Sequence, residues 1–237
     1  MDPSPGRRAP SSPPRPGEKP VDDAQSRALR HRRVERQIRA RGVVDPAVLA
    51  AMEQVPRHAF VPADEQHHAY DDGPLPIGDG QTISQPYVVA WMTELCGGAS
   101  GQRVLEIGTG CGYQAAVLAE VGHRVWSIEI VPALAARARV TLERLGYLDR
   151  VTLRAGDGYR GWPEAAPFDR IVLTAAPERV PEPLLRQVRV GGRMILPVGP
   201  AADQRLLVLD RVDPTTWERT EVGAVRFVPM TGEAESA

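Results

Sequence analysis

Arg103-Val-Leu-Glu-Ile-Gly-Thr-Gly-Cys-Gly-Tyr113 decides the fold of this chain. An apolar strand pattern, Val104 to Ile107, runs into glycines at 108, 110 and 112, and a helical pattern begins at Tyr113. A strand, a tight glycine turn and a helix in that order let backbone approach a nucleotide-like ligand closely. A dinucleotide fingerprint would need a further glycine at position 113, where tyrosine stands. Glu106 lies two residues before Gly108. A carboxylate directed into the turn repels a pyrophosphate and attracts a sulfonium or ammonium group.

Downstream, strand and helix patterns alternate. Arg124–Glu129, Val151–Ala155, Phe168–Ala175 and Gly192–Val198 read as strands, with helices over Tyr113–Val121, Pro132–Gly146 and Leu184–Val190. Leu206–Arg211 and Gly223–Val228 complete a set of seven strand patterns, the last two antiparallel. Repeated strand–helix units predict an α/β fold with a mainly parallel sheet covered on both faces, its ligand at the carboxyl ends of the strands. Two more acids fall at such ends. Glu129 follows Gly108 by 21 positions, near the spacing of about 20 at which an acid reaches ribose hydroxyls. Asp157, between Gly156 and Gly158, is placed to accept from an exocyclic adenine amine. Three acids at successive strand ends predict S-adenosylmethionine, with no metal. Glu106, Gly108, Gly110, Glu129, Ile130, Asp157 and Gly158 form its expected seat.

Upstream, residues 1–25 are rich in Pro, Ser and Arg and are expected to be a disordered tail. Ser26 to Arg41 reads as a helix with Ser26 as N-cap and Gly42 at its end, carrying Val34 and Ile38 under many arginines. That basic face suits either a polypeptide substrate or plain solvation. Asp45-Pro46 opens a second helix, Arg57–Pro62 is an extended link, and His67 and His68 are surface residues. Gly73–Gly80 is a loop leading to Gln81-Thr-Ile-Ser-Gln-Pro86 and a helix through Cys96. Residues 26–237 are expected to be one domain, 26–96 carrying the active-site loop and 97–230 the cofactor sheet. At 237 residues with net charge −1, the chain is long enough for a real core and gives no global reason for nucleic-acid or membrane binding. Cys96 and Cys111 match no zinc spacing and are read as free thiols. The N-terminus lacks the apolar stretch of a secretory signal, and the expectation is a cytoplasmic monomer. Trp126, Trp162 and Trp217 are assigned to packing.

Gln81-Thr-Ile-Ser-Gln-Pro86, Val104–Tyr113, Gly156-Asp-Gly158, Thr174-Ala-Ala-Pro177 and Val225-Arg-Phe-Val-Pro229 together resemble the protein-L-isoaspartate O-methyltransferase family. The resemblance runs in order from about Arg33 to Met230. It implies a doubly wound, Rossmann-like methyltransferase sheet with an N-terminal helical extension. It also implies methylation of the α-carboxylate of isoaspartyl residues in damaged proteins, leaving S-adenosylhomocysteine and an ester that closes to a succinimide. On this resemblance Ser84 is the active-site serine and the backbone around Thr82 lies near the cofactor; Thr82, Gln85 and Val228 are the further expected substrate contacts, with Val225–Pro229 reading either as a border of the substrate groove or as an ordinary apolar edge strand. Cys111 departs from the serine often seen there, and the proline-rich tail is extra. Two alternatives stay open: a peptide-tailoring enzyme that esterifies a normal aspartate to form an aspartimide, and a non-catalytic cofactor-binding protein.

Overall fold

A computed structural model describes residues 23–236 of the chain. The disorder expected for the tail falls, up to residue 22, outside the described residues; Ala24 and Gln25 are already helical. Helix α1 (Ala24–Arg33) starts ahead of Ser26 because Asp23 is its cap, accepting the Ser26 N–H at 2.7 Å. The coil then widens to a π-helical stretch, Val34–Ile38, and tightens to a 3₁₀ turn, Arg39–Arg41, before Gly42 ends it at φ 99°. The arginine face is not wholly solvated. Arg33 is buried and donates to the Met52 carbonyl at 2.7 Å, and Arg30 donates to that of Glu53 at 2.6 Å.

Helix α2 (Pro46–Gln54) is capped by Asp45 as expected. The expected extended link is instead a 3₁₀ turn, Arg57–Phe60, whose Arg57 and Phe60 are buried. A second such turn, Ala63–His68, leaves His67 and His68 exposed. The expected loop also differs: β1 (Leu75–Gly78) and β2 (Gln81–Ile83) pair as an antiparallel hairpin. Asp79 and Gly80 turn it with φ of 55° and 71°, the two-residue geometry that matches strand twist. Helix α3 (Pro86–Cys96) follows, with proline in its first turn.

The main sheet comprises β3 (Arg103–Ile107), β4 (Arg124–Glu129), β5 (Val151–Ala155), β6 (Phe168–Leu173), β7 (Val188–Val198), β8 (Gln204–Arg211) and β9 (Trp217–Val225). Their order is β5-β4-β3-β6-β7-β8-β9, parallel through β7 and antiparallel thereafter. Helices α4 (Tyr113–Glu120) and α5 (Pro132–Leu145) make the crossovers. Helix α6 (Glu182–Leu185) is shorter than expected, because Val188 already pairs with Phe168 and belongs to β7. Strand β9 likewise lies earlier than expected: Val225 is its last partner to β8, and the chain then leaves the sheet to bridge Ala176 at Pro229.

Alternation along β3 sorts the core. Leu105 and Ile107 join one apolar cluster with Phe168, Ile171 and Met194, while Val104 joins the other with α3 and α4. Trp126 packs on Phe168 at 5.6 Å between ring centroids. No helix among the described residues is long and apolar enough to cross a membrane.

Candidate active site

The chain runs outward from β3 to β4 and β5, then returns to place β6 against the other side of β3. The crossovers on either side of that point diverge, which leaves a crevice at the carboxyl ends of the strands. A cleft with a cavity volume of about 90 Å³ opens there. The turn after β3 forms its floor, Glu129 to Val131 one wall, and Gly158 and Thr174 the ends of the next strands. Thr82 and Ser84 from the hairpin region and Val228 to Thr231 from the C-terminal segment roof it. Glycine is required at two points of the cradle. A Cβ on Gly108, at φ 96°, would stand 2.4 Å from Thr174 Oγ1, and one on Gly158 would stand 2.5 Å from Ile107 Cγ2.

Glu129 is the one charged side chain among the residues lining this cleft. It is 5% exposed; its two oxygens accept the Gly110 N–H at 2.7 Å and the Val131 N–H at 2.9 Å. Those bonds fix the carboxylate, and each oxygen retains a lone pair for a ligand hydroxyl. A cleft with one carboxylate and no lining cation suits a cationic nucleoside and ill suits a pyrophosphate. Ile130, beside Glu129, also lines it.

Two acids expected at the ligand are elsewhere. Glu106 alternates with Leu105 and Ile107, so its side chain points into the opposite face of the sheet rather than out of its end. It is fully buried, accepts a short hydrogen bond from Ser127 Oγ, and keeps Oε1 without a partner among the described residues. Burial pushes its carboxyl up to about 8, so it offers no carboxylate to attract a sulfonium at neutral pH. Between about 4.5 and 8 the folded chain therefore holds a proton that the unfolded chain has released, and stability falls as pH rises through that window. Glu106→Gln removes this loss. Denaturant midpoints of the two proteins are expected to diverge in favour of the variant from pH 5 to pH 8, by roughly 1 kcal/mol per pH unit. A constant difference would show that Glu106 stays ionised. Asp157 is likewise off the cleft wall. Its oxygens accept the N–H groups of Tyr159 and Glu233, both at 2.8 Å, which ties it to the C-terminal segment.

A second, wider groove lies outside the first, lined by Arg41, Gln85, Tyr87, Trp91 and Val225 to Val228. Thr82, Ser84, Thr174 and Val228 border both cavities and mark where they join. The cap of α3 is Gln85, not Ser84, and no hydrogen bond among the described residues engages the Ser84 hydroxyl. Gln85 itself donates to Asp72 Oδ1 at 2.8 Å. Phe227 spends both backbone groups on the Gln204 side chain, at 2.6 and 3.0 Å. Sequence reasoning did not assign Thr174 to the site, although Thr174 opens one of the motifs quoted for the resemblance. Its position just past β6, the strand beside β3, was the available signal. Trp91 was missed too; it stacks with Tyr87 at 5.8 Å on the groove wall.

Fold and inner cleft together define a class I S-adenosylmethionine-dependent methyltransferase. Residues 29–235 match the family described as protein-L-isoaspartate(D-aspartate) O-methyltransferase, and the chain belongs to that family. A curated relative from Picosynechococcus, a protein-L-isoaspartate O-methyltransferase, is 56% identical over 207 residues, covering 87% of this chain and 92% of its own. A solved protein-L-isoaspartate O-methyltransferase superposes with a TM-score of 0.78 at 32% identity, over 86% of this chain and 67% of that one. A Plasmodium falciparum structure, solved with S-adenosyl-L-homocysteine, shares the fold with a TM-score of 0.74 at 22% identity, over 85% and 98%. The chain is accordingly an enzyme, a carboxyl methyltransferase that initiates repair of isoaspartyl residues in proteins. Among the described residues no group of three or more His, Cys, Asp or Glu is placed to hold a metal.

Proposed function

We propose that the two cavities are the two halves of one reaction site, joined at Thr82, Ser84, Thr174 and Val228. The shared border is the observation that carries this reading. When bound in the inner cleft, S-adenosylmethionine supplies an electrophilic methyl group with a thioether leaving group. Glu129 holds the ribose hydroxyls, and the backbone from Gly108 to Gly110 and at Gly158 seats the rest. The outer groove receives the isoaspartyl peptide as an extended chain.

A peptide α-carboxyl has an ordinary pKa near 3.5 and is ionised at neutral pH, so the acceptor needs no general base. What the protein supplies is alignment and exclusion of water, worth up to about 7–11 kcal/mol in favourable cases. The free Ser84 hydroxyl donates to one carboxylate oxygen and leaves the other aimed through the junction. The hairpin β1–β2 and the C-terminal segment roof the cleft and keep bulk water out. Residues 26–237 act as one unit, a cytoplasmic monomer without nucleic-acid or membrane partners, in keeping with a net charge of −1.

The test is methyl transfer to an isoaspartyl peptide compared with its aspartyl isomer. The isoaspartyl form is expected to react at least about 100-fold faster, since a misplaced carboxylate forfeits alignment of that order. Preference for the aspartyl isomer would favour the aspartimide-forming alternative, and transfer to neither would overturn the acceptor reading.

A further inference from the structure

We infer that Arg57 is a positioning residue for Ser84: its guanidinium clamps the two ends of the hairpin lobe and so sets where the acceptor hydroxyl stands. The inference rests on the acceptor site proposed above and on geometry outside it. Arg57 has 0% exposure, and no carboxylate pairs with it among the described residues. A buried cation left without an anion is costly, so its hydrogen bonds to backbone must offset part of that cost.

Two of the three donor nitrogens of Arg57 go to backbone carbonyls, while the buried Nε has no partner among the described residues. Nη1 donates to Ser84 O at 2.7 Å and Nη2 to Gly73 O at 3.2 Å. These two residues flank the hairpin Leu75–Ile83, one just before β1 and one just after β2. A planar guanidinium fork fixes both acceptors at once, which a single ammonium does less well. The clamp is itself anchored to the cofactor side. Its guanidinium lies 5.3 Å from the ring centroid of Tyr113, the residue that opens α4 directly after the glycine turn. Phe60, in the same 3₁₀ turn as Arg57, packs edge-on against that ring at 5.4 Å. One buried side chain thus ties the floor of the cofactor cleft to the segment bearing Ser84. Burial lowers its pKa to about 10, which still leaves it charged at neutral pH.

The hairpin has few competing anchors. Arg137 donates to Ile77 O at 2.8 Å and to Asp79 Oδ2 at 2.9 Å, at the far tip. At the base, Gln85 donates to Asp72 Oδ1 at 2.8 Å on the exposed side. Neither touches the Ser84 backbone. Loss of the fork is therefore expected to loosen the base while leaving the tip held.

The experiment uses the full chain and two variants, Arg57→Lys and Arg57→Gln; either folded variant suffices to decide. With an isoaspartyl peptide, kcat is expected to fall about 10-fold in Arg57→Lys and further in Arg57→Gln, with KM changed less than about 3-fold. Binding of S-adenosylhomocysteine is expected to stay within about 2-fold. In a Ser84→Ala background the Arg57→Lys loss should shrink below about 2-fold, because a residue acting through Ser84 has nothing left to position. Losses that multiply in the double variant, or cofactor affinity falling in step with kcat, would overturn the assignment. Amide hydrogen exchange over residues 74–84 is expected to rise in both variants and not in Ser84→Ala; unchanged exchange would also overturn it. This last readout holds whichever carboxylate the enzyme methylates. Failure of the wild type on isoaspartyl peptides would sink the acceptor reading and leave the clamp standing.

Discussion

Replacing Glu129 with alanine is expected to raise the dissociation constant for S-adenosylhomocysteine by about 100-fold or more, read by titration calorimetry. The magnitude follows from the role proposed for the side chain at the ribose. Bonds from two ribose hydroxyls to a carboxylate, at about 1.5–3 kcal/mol each, account for a loss of that size. The variant also releases the Gly110 and Val131 N–H groups that Glu129 now accepts at 2.7 and 2.9 Å, so the glycine turn loses its brace. Glu129→Gln is no remedy, because an amide can accept at one end only and would set a donor against one of those N–H groups. Glu106→Gln is the informative comparison. Glu106 is off the cleft wall and reaches it only through Ser127 and Thr109 and through the field of Glu129, so cofactor binding in that variant is expected to stay within about 3-fold of wild type. If Glu129→Ala binds within 5-fold of wild type while Glu106→Gln fails, the order of importance of the two acids is the reverse of that inferred from the structure.

These two acids show how far the residues could be read unaided. The alternation of strand and helix patterns was enough to place β3 to β6 and the crossover helices, because a parallel sheet covered on both faces writes its strands as apolar runs. It also located the crevice, since the glycine turn and Glu129 both follow strands. Orientation was not legible in the same way. Glu106 sits one residue from Ile107, and a period of two turns the carboxylate into the sheet, against Ser127 of the neighbouring strand. That registry is a property of the pairing, not of either strand alone. The hairpin was missed for a different reason. Its strands span four and three residues, too short for periodicity to speak, and only Asp79-Gly80 signalled the turn. Arg57 was invisible in principle, since a fork across carbonyls at 73 and 84 exists only once the chain has folded back on itself. The tie from Asp157 to the C-terminal segment, through the Glu233 N–H, is likewise a contact between distant parts of the chain that the Gly156-Asp-Gly158 motif does not announce.

Ser84→Ala is expected to lower kcat on an isoaspartyl peptide by about 100-fold, the cost of losing the alignment imposed by holding the non-reacting oxygen, with S-adenosylhomocysteine affinity unchanged within about 3-fold. The split follows from where Ser84 stands. It borders both cavities, yet the inner cleft has its own polar anchors in Glu129 and the glycine-turn backbone, so the cofactor does not depend on it. Its hydroxyl caps no helix and meets no described partner, and its backbone carbonyl is held by Arg57 at 2.7 Å. A fixed backbone with an unengaged hydroxyl is what an orienting donor requires. A nucleophilic role would need an adjacent base, and no histidine or carboxylate side chain accepts a hydrogen bond from the Ser84 hydroxyl among the described residues. The chemistry points the same way. As the carboxylate oxygen is methylated its negative charge is consumed, so a hydrogen bond to it is no stronger at the transition state than before. The contribution of Ser84 to rate must then come from direction, by holding one oxygen so that the other lies in line with the methyl group. Ser84→Thr, which keeps the hydroxyl but restricts its rotamer, is expected to retain more activity than Ser84→Ala. Equal loss of turnover and cofactor affinity in Ser84→Ala would move the residue into the cofactor site, and full activity of the alanine variant would leave the carboxylate oriented by backbone alone.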